Sequence, residues 1–256
     1  MKKFVNSLLA PLGLRITGTV PTKNEQRRNA FLAKQKLLAD EPKPLTILDV
    51  GAYHGEVALQ YNKWFPDSKI YCFEPLPASF NKLAEVVAEY PRISPIQKGV
   101  GARSGIGHLN VNAFAATNSL LNTHAEGYRY WGSELLDTKE VIGVEITTID
   151  EFVTDHKITC LDLLKMDVQG AEYLVLKGAR NSIDRGLVKV IYAELMTLPA
   201  YEEQRSIDEM LALYRSLGFT LFGLYNFSYS PSDQLRNMDL IMVWEPWFRS
   251  RVEDLK

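Results

Sequence analysis

An α/β fold, with a mostly parallel sheet covered by helices on both faces, is the architecture this sequence predicts. Short apolar runs ending in acids or glycines alternate with segments of helical periodicity, the pattern of a parallel sheet with crossover helices. The first such run, ILDVGAYHG at 47–55, closes on an acid and glycines, and the next, YCFEP at 71–75, closes on another acid. The last two apolar runs, 219–225 and 239–244, are joined only by the short polar stretch 226–238. That stretch is too short for a typical helical crossover, so the final strand should run antiparallel. The count is six parallel strands and one antiparallel strand.

In chain order, residues 25–40 read as a helix with Phe31 and Leu38 a heptad apart, stopped by Pro42 and Pro44. A buried strand follows at 45–50, then a helix whose face carries Val57, Tyr61 and Trp64. The second strand is 69–74, and Phe80, Leu83, Ala84 and Val87 stripe the next helix at i, i+3, i+4, i+7. Residues 93–100 read as a third strand. The alternation then breaks over about 101–141, where a strand-like piece at 107–111 precedes the polar and aromatic NSLLNTHAEGYRYWGSELL. Long insertions of this kind are often functional. The pattern resumes with a strand at 161–167, a helix carrying Ala171, Leu174, Val175 and Gly178, and a strand at 188–194. Ile207, Met210, Leu211 and Tyr214 mark the next helix, with Gly218 as its C-terminal stop. The expected division is a helical extension at 1–44 and a main domain at 45–256 that contains the insertion.

The 256 residues, 46% of them hydrophobic, can bury a substantial core. A net charge of −2 argues against a broad nucleic-acid-binding surface. Cys72 and Cys160 sit in apolar runs and read as buried free thiols of a reducing compartment, the cytoplasm. Two distant cysteines and four scattered histidines supply no clustered zinc ligands. No apolar stretch approaches the roughly 20 residues of a membrane span. The start, MKKFVNSLLAPLGLRI, reads against a signal peptide, and its Phe4, Leu8 and Leu12 stripe suits packing on the main domain or, alternatively, a shallow membrane or partner anchor over residues 1–16.

The two acid-ended runs suit an adenosine-bearing ligand held across the carboxyl ends of adjacent strands. Gly51 and Gly55 allow close backbone approach, and Glu74, 25 residues after Asp49, is placed to accept from ribose hydroxyls. The loop GAYHG is G-x-x-x-G, with Tyr53 and His54 at its centre and no basic residue until Lys63, so it serves a pyrophosphate poorly. S-adenosylmethionine has no phosphate and fits better. Asp49 would accept from its ammonium, directly or through water, and the backbone at 51–55, Ala52 included, would hold the methionyl part. Pro75, Gly99 and Val100 complete the expected cofactor set. Asp167 ends the middle strand, where its carboxylate should face the reacting methyl. Glu172 falls in the following helix's first turn, where the dipole alone also favours a carboxylate. Lys165 either pairs with a carboxylate or emerges at the sheet's edge.

The segments ILDVGAYHG, CFEP, TTIDEF, LLKMDVQGAE, LKGA and IYAEL, in order over about 46–218, together resemble the FkbM family of S-adenosylmethionine-dependent methyltransferases. The resemblance implies a Rossmann-like class I methyltransferase fold with a seven-stranded sheet, and methyl transfer to an oxygen of a sugar, glycan or natural-product hydroxyl. Carried over by position, Asp49, Gly51, Gly55 and Glu74 match its cofactor motifs, and Asp167, Gln169 and Glu172 its site segment. Val100-Gly101-Ala102 departs from the Ala-Leu-Ser more usual there, which touches the adenine contacts. Asp167 is the first candidate for the base, also contacting the cofactor, with Glu194 and His124 as runners-up. Gln169, Glu172, Tyr128, Tyr130 and Trp131 are the candidate acceptor contacts. No resident metal is expected, although Asp167, Glu172 and Glu194 are the carboxylates a metal-assisted variant would use. The competing readings are a nicotinamide-dependent oxidoreductase and a non-catalytic cofactor-binding interaction module.

Overall fold

A computed structural model describes residues 23–253. The expected anchor stripe at 1–16 lies outside the described residues. Helix α1 (Lys23–Leu37) precedes strand β1 (Thr46–Val50), and α2 (Glu56–Trp64), β2 (Lys69–Phe73), α3 (Pro77–Val87) and β3 (Ile93–Ile96) follow. After the insertion come α6 (Ile149–Asp155), β7 (Leu161–Met166), α7 (Glu172–Gly178), α8 (Arg180–Asp184), β8 (Val188–Met196), α9 (Ile207–Ser216), β9 (Phe219–Tyr229), β10 (Leu235–Trp244) and α10 (Glu245–Glu253). These strands make one seven-stranded sheet in the order β3-β2-β1-β7-β8-β10-β9. β3, β2, β1, β7 and β8 pair in parallel, and β10 lies antiparallel between β8 and β9. The chain winds outward from β1 in one direction and then returns to place β7 on its other side. The crevice between the carboxyl ends of β1 and β7 is therefore where such a sheet holds a ligand.

Alternation along the strands divides the core in two. Leu48, Val50, Leu164, Met166, Ile191 and Leu240 face Phe152, Val175 and Tyr214 of α6, α7 and α9. Ile47, Leu163, Val190 and Ile241 face the other way, against Leu38, Tyr61 and Leu83 from the α1–α3 side. Residues two further along on that second face, Asp49, Lys165 and Tyr192, approach the carboxyl edge, and there the apolar core gives way to a polar layer.

Four expectations change. The run 93–100 is not one strand: β3 stops at Ile96, and β4 (Gly99–Val100) joins a separate sheet by pairing with β6 (Thr138–Thr147). Pro95 is tolerated in β3 because that strand is the sheet's edge. The insertion is regular rather than irregular. β5 (Gly105–Asn112) and β6 form an antiparallel pair, with a 3-10 turn (Ala115–Thr117) and the short helices α4 (Gly127–Trp131) and α5 (Ser133–Leu136) between them. The final hairpin is longer than the apolar runs suggested, because β9 and β10 extend into the polar connection. Helix α1 stops at Leu37 rather than continuing to Asp40, and Lys43 Nζ caps the turn beyond it by donating to the Leu38 carbonyl at 2.9 Å. Cys72 is buried as expected, whereas Cys160 is only half-buried.

Candidate active site

A cavity of ≈ 230 Å³ opens at the carboxyl ends of β1, β2 and β7, lined by Gly51, Ala52, Glu74, Pro75, Gly99 and Val100 of the expected cofactor set, and by Asp167 and Gln169. Gly51 has φ +76°, and a Cβ there would lie 1.9 Å from the Asp167 carbonyl oxygen. Glycine is therefore required because the chain leaving β1 crosses the end of β7, as well as for its conformation. The loop after β1 is largely hydrogen-bonded to the protein itself. The Gly51 and Ala52 amides both donate to the Phe73 carbonyl, at 3.0 and 2.9 Å, and the Gly55 amide donates to Ala52 O at 2.9 Å. Glu74 clasps this loop: Oε2 accepts from Tyr53 N at 3.0 Å and Oε1 from Leu76 N at 2.9 Å. Burial pushes the Glu74 carboxyl up to about 7, against the pull of those two donors.

Asp49 is placed differently from the expectation. Its side chain is fully buried behind the cavity wall and faces Lys165, Nζ to Oδ1 2.8 Å. The contact is an ion pair by distance, but its angles fall outside hydrogen-bond geometry, so neither carboxylate oxygen has a hydrogen-bond donor. Burial pushes the Asp49 carboxyl up, and Lys165 pulls it back. Burial opposes the charge on Lys165 too, yet Asp49 and Asp167 outweigh it and hold the ammonium above its ordinary value. Lys165 itself lines the cavity and donates to the Gly51 carbonyl at 2.7 Å. A lysine inside the apolar strand LLKMD was the signal for it, and of its two readings the structure shows the carboxylate pair.

From Asp167 a chain of side-chain amides and carboxylates runs across the sheet. Gln169, at φ +54°, donates through Nε2 to Asp167 Oδ1 at 2.8 Å and to Glu194 Oε2 at 3.0 Å. Its Oε1 lies 3.1 Å from Tyr201 Oη, whose single hydrogen is shared with the nearer Thr117 carbonyl at 2.6 Å. Asn237 Nδ2 donates to Glu194 Oε1. Asp167 is exposed to the cavity, whereas Glu194 is half-buried. Burial raises the Glu194 carboxyl well above its ordinary value, and the neighbouring Asp167, Asp239 and Glu172 carboxylates add to the rise. Tyr201, Asn237 and the insertion's Ala115, Ala116, Ser119 and Leu120 were not expected here. Of these, Ser119 secures the wall by donating to the Gln169 carbonyl at 2.7 Å.

Other expected residues lie off the cavity. Gly55, at φ +91°, is the N-terminal residue before α2, and a Cβ there would meet Leu83 Cδ1 at 2.8 Å, so its smallness serves packing. His124 Nδ1 accepts from Glu126 N at 3.1 Å, and its own amide donates to Ala200 O at 2.9 Å, which fixes the approach to α4. Tyr128 is an exposed aromatic, Tyr130 lies under Arg129, and Trp131 packs on the core with the Arg236 guanidinium 4.4 Å from its ring centre. None of these side chains lines the cavity. Among the described residues, no group of three or more His, Cys, Asp and Glu is arranged to hold a metal ion.

Glu172 is also structural in this geometry. It is 6% exposed, and its Oε1 accepts from Val168 N at 3.1 Å, closing the turn between β7 and α7. Burial pushes its carboxyl up to about 7, from an ordinary 4.5. A raised folded value means that the unfolded chain gives up its proton first, so stability falls as pH rises from the ordinary value through about 7. Glu172→Gln keeps an acceptor for Val168 and removes the charge. It should leave stability unchanged at pH 4 and raise it at pH 8 by about 3–4 kcal/mol, at about 1.4 kcal/mol per pKa unit, in urea unfolding curves. Equal curves at pH 8 would refute the assignment.

Comparison with known proteins decides the class. The sequence model described as the Methyltransferase FkbM domain matches residues 49–221, more than half of the chain. The chain belongs to the FkbM methyltransferase family. It is 25% identical over 188 residues to the 2-O-methyltransferase NoeI of Sinorhizobium fredii (strain NBRC 101917 / NGR234), covering 70% of this chain and 74% of the relative. It is likewise 25% identical over 194 residues to the 31-O-demethyl-FK506 methyltransferase FkbM of Streptomyces tacrolimicus, covering 68% and 72%. The hexuronic acid methyltransferase AglP of Haloferax volcanii matches at 25% over 150 residues, 58% of this chain and 56% of the relative. This methyltransferase uses S-adenosylmethionine as its donor. The cavity fits that group: a carboxylate at the lip of β2, apolar Val100 and Leu109 beyond it, and a loop whose amides at 51, 52, 53 and 55 already have protein acceptors rather than awaiting a phosphate. No helix among the described residues is long and apolar enough to cross a membrane.

Proposed function

We propose that this methyltransferase methylates a hydroxyl oxygen of a small hydroxylated acceptor, a sugar, glycan unit or natural product, with Asp167 receiving or orienting the hydroxyl proton. The observation that carries the reading is the Asp167–Gln169–Glu194 chain, of which Asp167 and Gln169 line the cavity at the carboxyl end of β7. The names of the related 2-O-, 31-O- and hexuronic acid methyltransferases support the acceptor class. Bound S-adenosylmethionine supplies an electrophilic methyl group activated by its sulfonium. Glu74 would hold the ribose hydroxyls, the Gly51–Ala52 turn the methionyl part, and Gly99, Val100 and Leu109 the adenine. Asp49 acts behind this surface, by fixing Lys165 and through it the Gly51 carbonyl. Gln169 holds the Asp167 carboxylate in place, and Asp167 Oδ2 carries no protein donor among the described residues, which leaves it for an acceptor hydroxyl. Positioning of this kind can be worth effective molarities of about 10⁵–10⁸ M.

Methyl-labelled S-adenosylmethionine offered with matched polyol, glycoside and amine acceptors tests the proposal. The expected product is a methyl ether, identified by NMR of the labelled carbon. Transfer only to the amines would overturn the oxygen assignment.

A further inference from the structure

Lys34 of α1 and Asp239 of β10 both fall outside residues 49–221, the segment the family match covers. Lys34 is fully buried, an uncommon state for a lysine because leaving water is costly for an ammonium. It sits among aromatic rings. Nζ donates to Tyr61 Oη at 3.2 Å and lies 3.3 Å from the centre of the Tyr192 ring, with Phe31 at 4.4 Å. Aromatic faces attract a cation, the more so away from water. Tyr192 then continues the contact: its hydroxyl donates to Asp239 Oδ2, which also accepts from Asn226 Nδ2. Asp239 lies directly across from Glu194 in the β10–β8 register. A path therefore leads from α1, through one tyrosine, to the carboxylates beside the reaction cavity.

The charges along this edge give the path a purpose. Asp49, Asp167, Glu194 and Asp239 contribute four carboxyls, and Lys165 and Lys34 the two ammoniums that oppose them. Burial raises both Glu194 and Asp239, and Asp167 raises both further. Tyr61 on α2, Tyr192 on β8, Asp239 on β10, Lys165 on β7 and Asp49 on β1 are the titratable groups facing Lys34. Burial lowers Lys34 to about 7, with Asp239 and Asp49 resisting and Lys165 assisting.

We propose that Lys34 is a positioning residue for the methyl-transfer edge, holding Asp239, which lies across from Glu194, through Tyr192 and, by its charge, favouring the ionised form of Asp239. The link to catalysis rests on the acceptor-side reading of Glu194 given above, but the test does not require methyl transfer. The full chain, labelled with ¹³C at the Glu and Asp carboxyls, is titrated by NMR, with Glu194→Gln and Asp239→Asn identifying the two signals. In Lys34→Met the Asp239 midpoint should rise by roughly half to one pH unit, the effect of one charge acting through the interior at an effective dielectric near 20. Lys34→Arg should restore it. An unchanged Asp239 midpoint in a Lys34→Met protein that still binds S-adenosylhomocysteine overturns the proposal. If that variant does not fold, Tyr192→Phe decides. It keeps the ring beneath Lys34 and removes the hydroxyl, so Asp239 alone should titrate higher, and an unmoved Asp239 overturns the proposal equally. Failure of oxygen methylation, by contrast, would leave these midpoints as they are.

Discussion

Lys165→Met should destabilise the protein by about 3–5 kcal/mol and weaken S-adenosylmethionine binding together. The change leaves the fully buried Asp49 carboxylate without its counter-ion, and an uncompensated buried charge costs on that order. It also frees the Gly51 carbonyl from the ammonium that holds it at 2.7 Å, on the very turn where β1 and β7 come closest. The two effects separate in the double variant Asp49→Leu, Lys165→Met. Apolar replacement of a whole buried pair is often neutral, so urea unfolding should return towards the parent. Cofactor affinity should not return, because no group then fixes Gly51. A Lys165→Met protein as stable as the parent would show that Asp49 is protonated or solvated in the fold, and the pair would lose its assigned part.

The sheet was legible because its central strands β1 and β7 are buried on both faces and its strands are interrupted by helices with clear apolar stripes. What remained hidden depends on contacts between distant segments. ILDVGAYHG shows an acid beside a glycine, but not that Asp49 points behind the wall while Glu74 stands at the lip. That distinction is set by which face of β1 packs against α1–α3. Gly51 was expected to be small for a ligand, and the carbonyl of Asp167 is the nearer reason. In the insertion, the aromatic run GYRYW drew attention because large rings commonly make ligand contacts, yet its rings dock on protein or face solvent. Among the residues that do line the cavity there, Ala115, Ala116 and Ser119 are small and carry no compositional mark. TKEVIGVEIT did not stand out as a strand because its alternation is broken by Gly143 and only its second half is buried.

Asp167→Asn should lower kcat by roughly 10²–10⁴-fold, about 2.7–5.4 kcal/mol, with S-adenosylhomocysteine affinity little changed. The amide keeps an oxygen for Gln169 Nε2 and removes the charge alone, so the geometry of the chain to Glu194 survives. The geometry also ranks the three candidate bases. His124 is engaged at α4 and does not line the cavity. Glu194 has both oxygens engaged by amide donors, from Gln169 and Asn237. Asp167 alone is exposed to the cavity with an oxygen that no protein donor occupies among the described residues. Glu194→Gln should therefore cost less than Asp167→Asn, acting through the placement of Gln169. Because orientation accounts for much of an in-line displacement, Asp167→Asn should retain measurable turnover rather than none. Full turnover in Asp167→Asn, or a larger loss in Glu194→Gln, measured with saturating S-adenosylmethionine, would move the proton-handling role from Asp167 to Glu194 or to the acceptor itself.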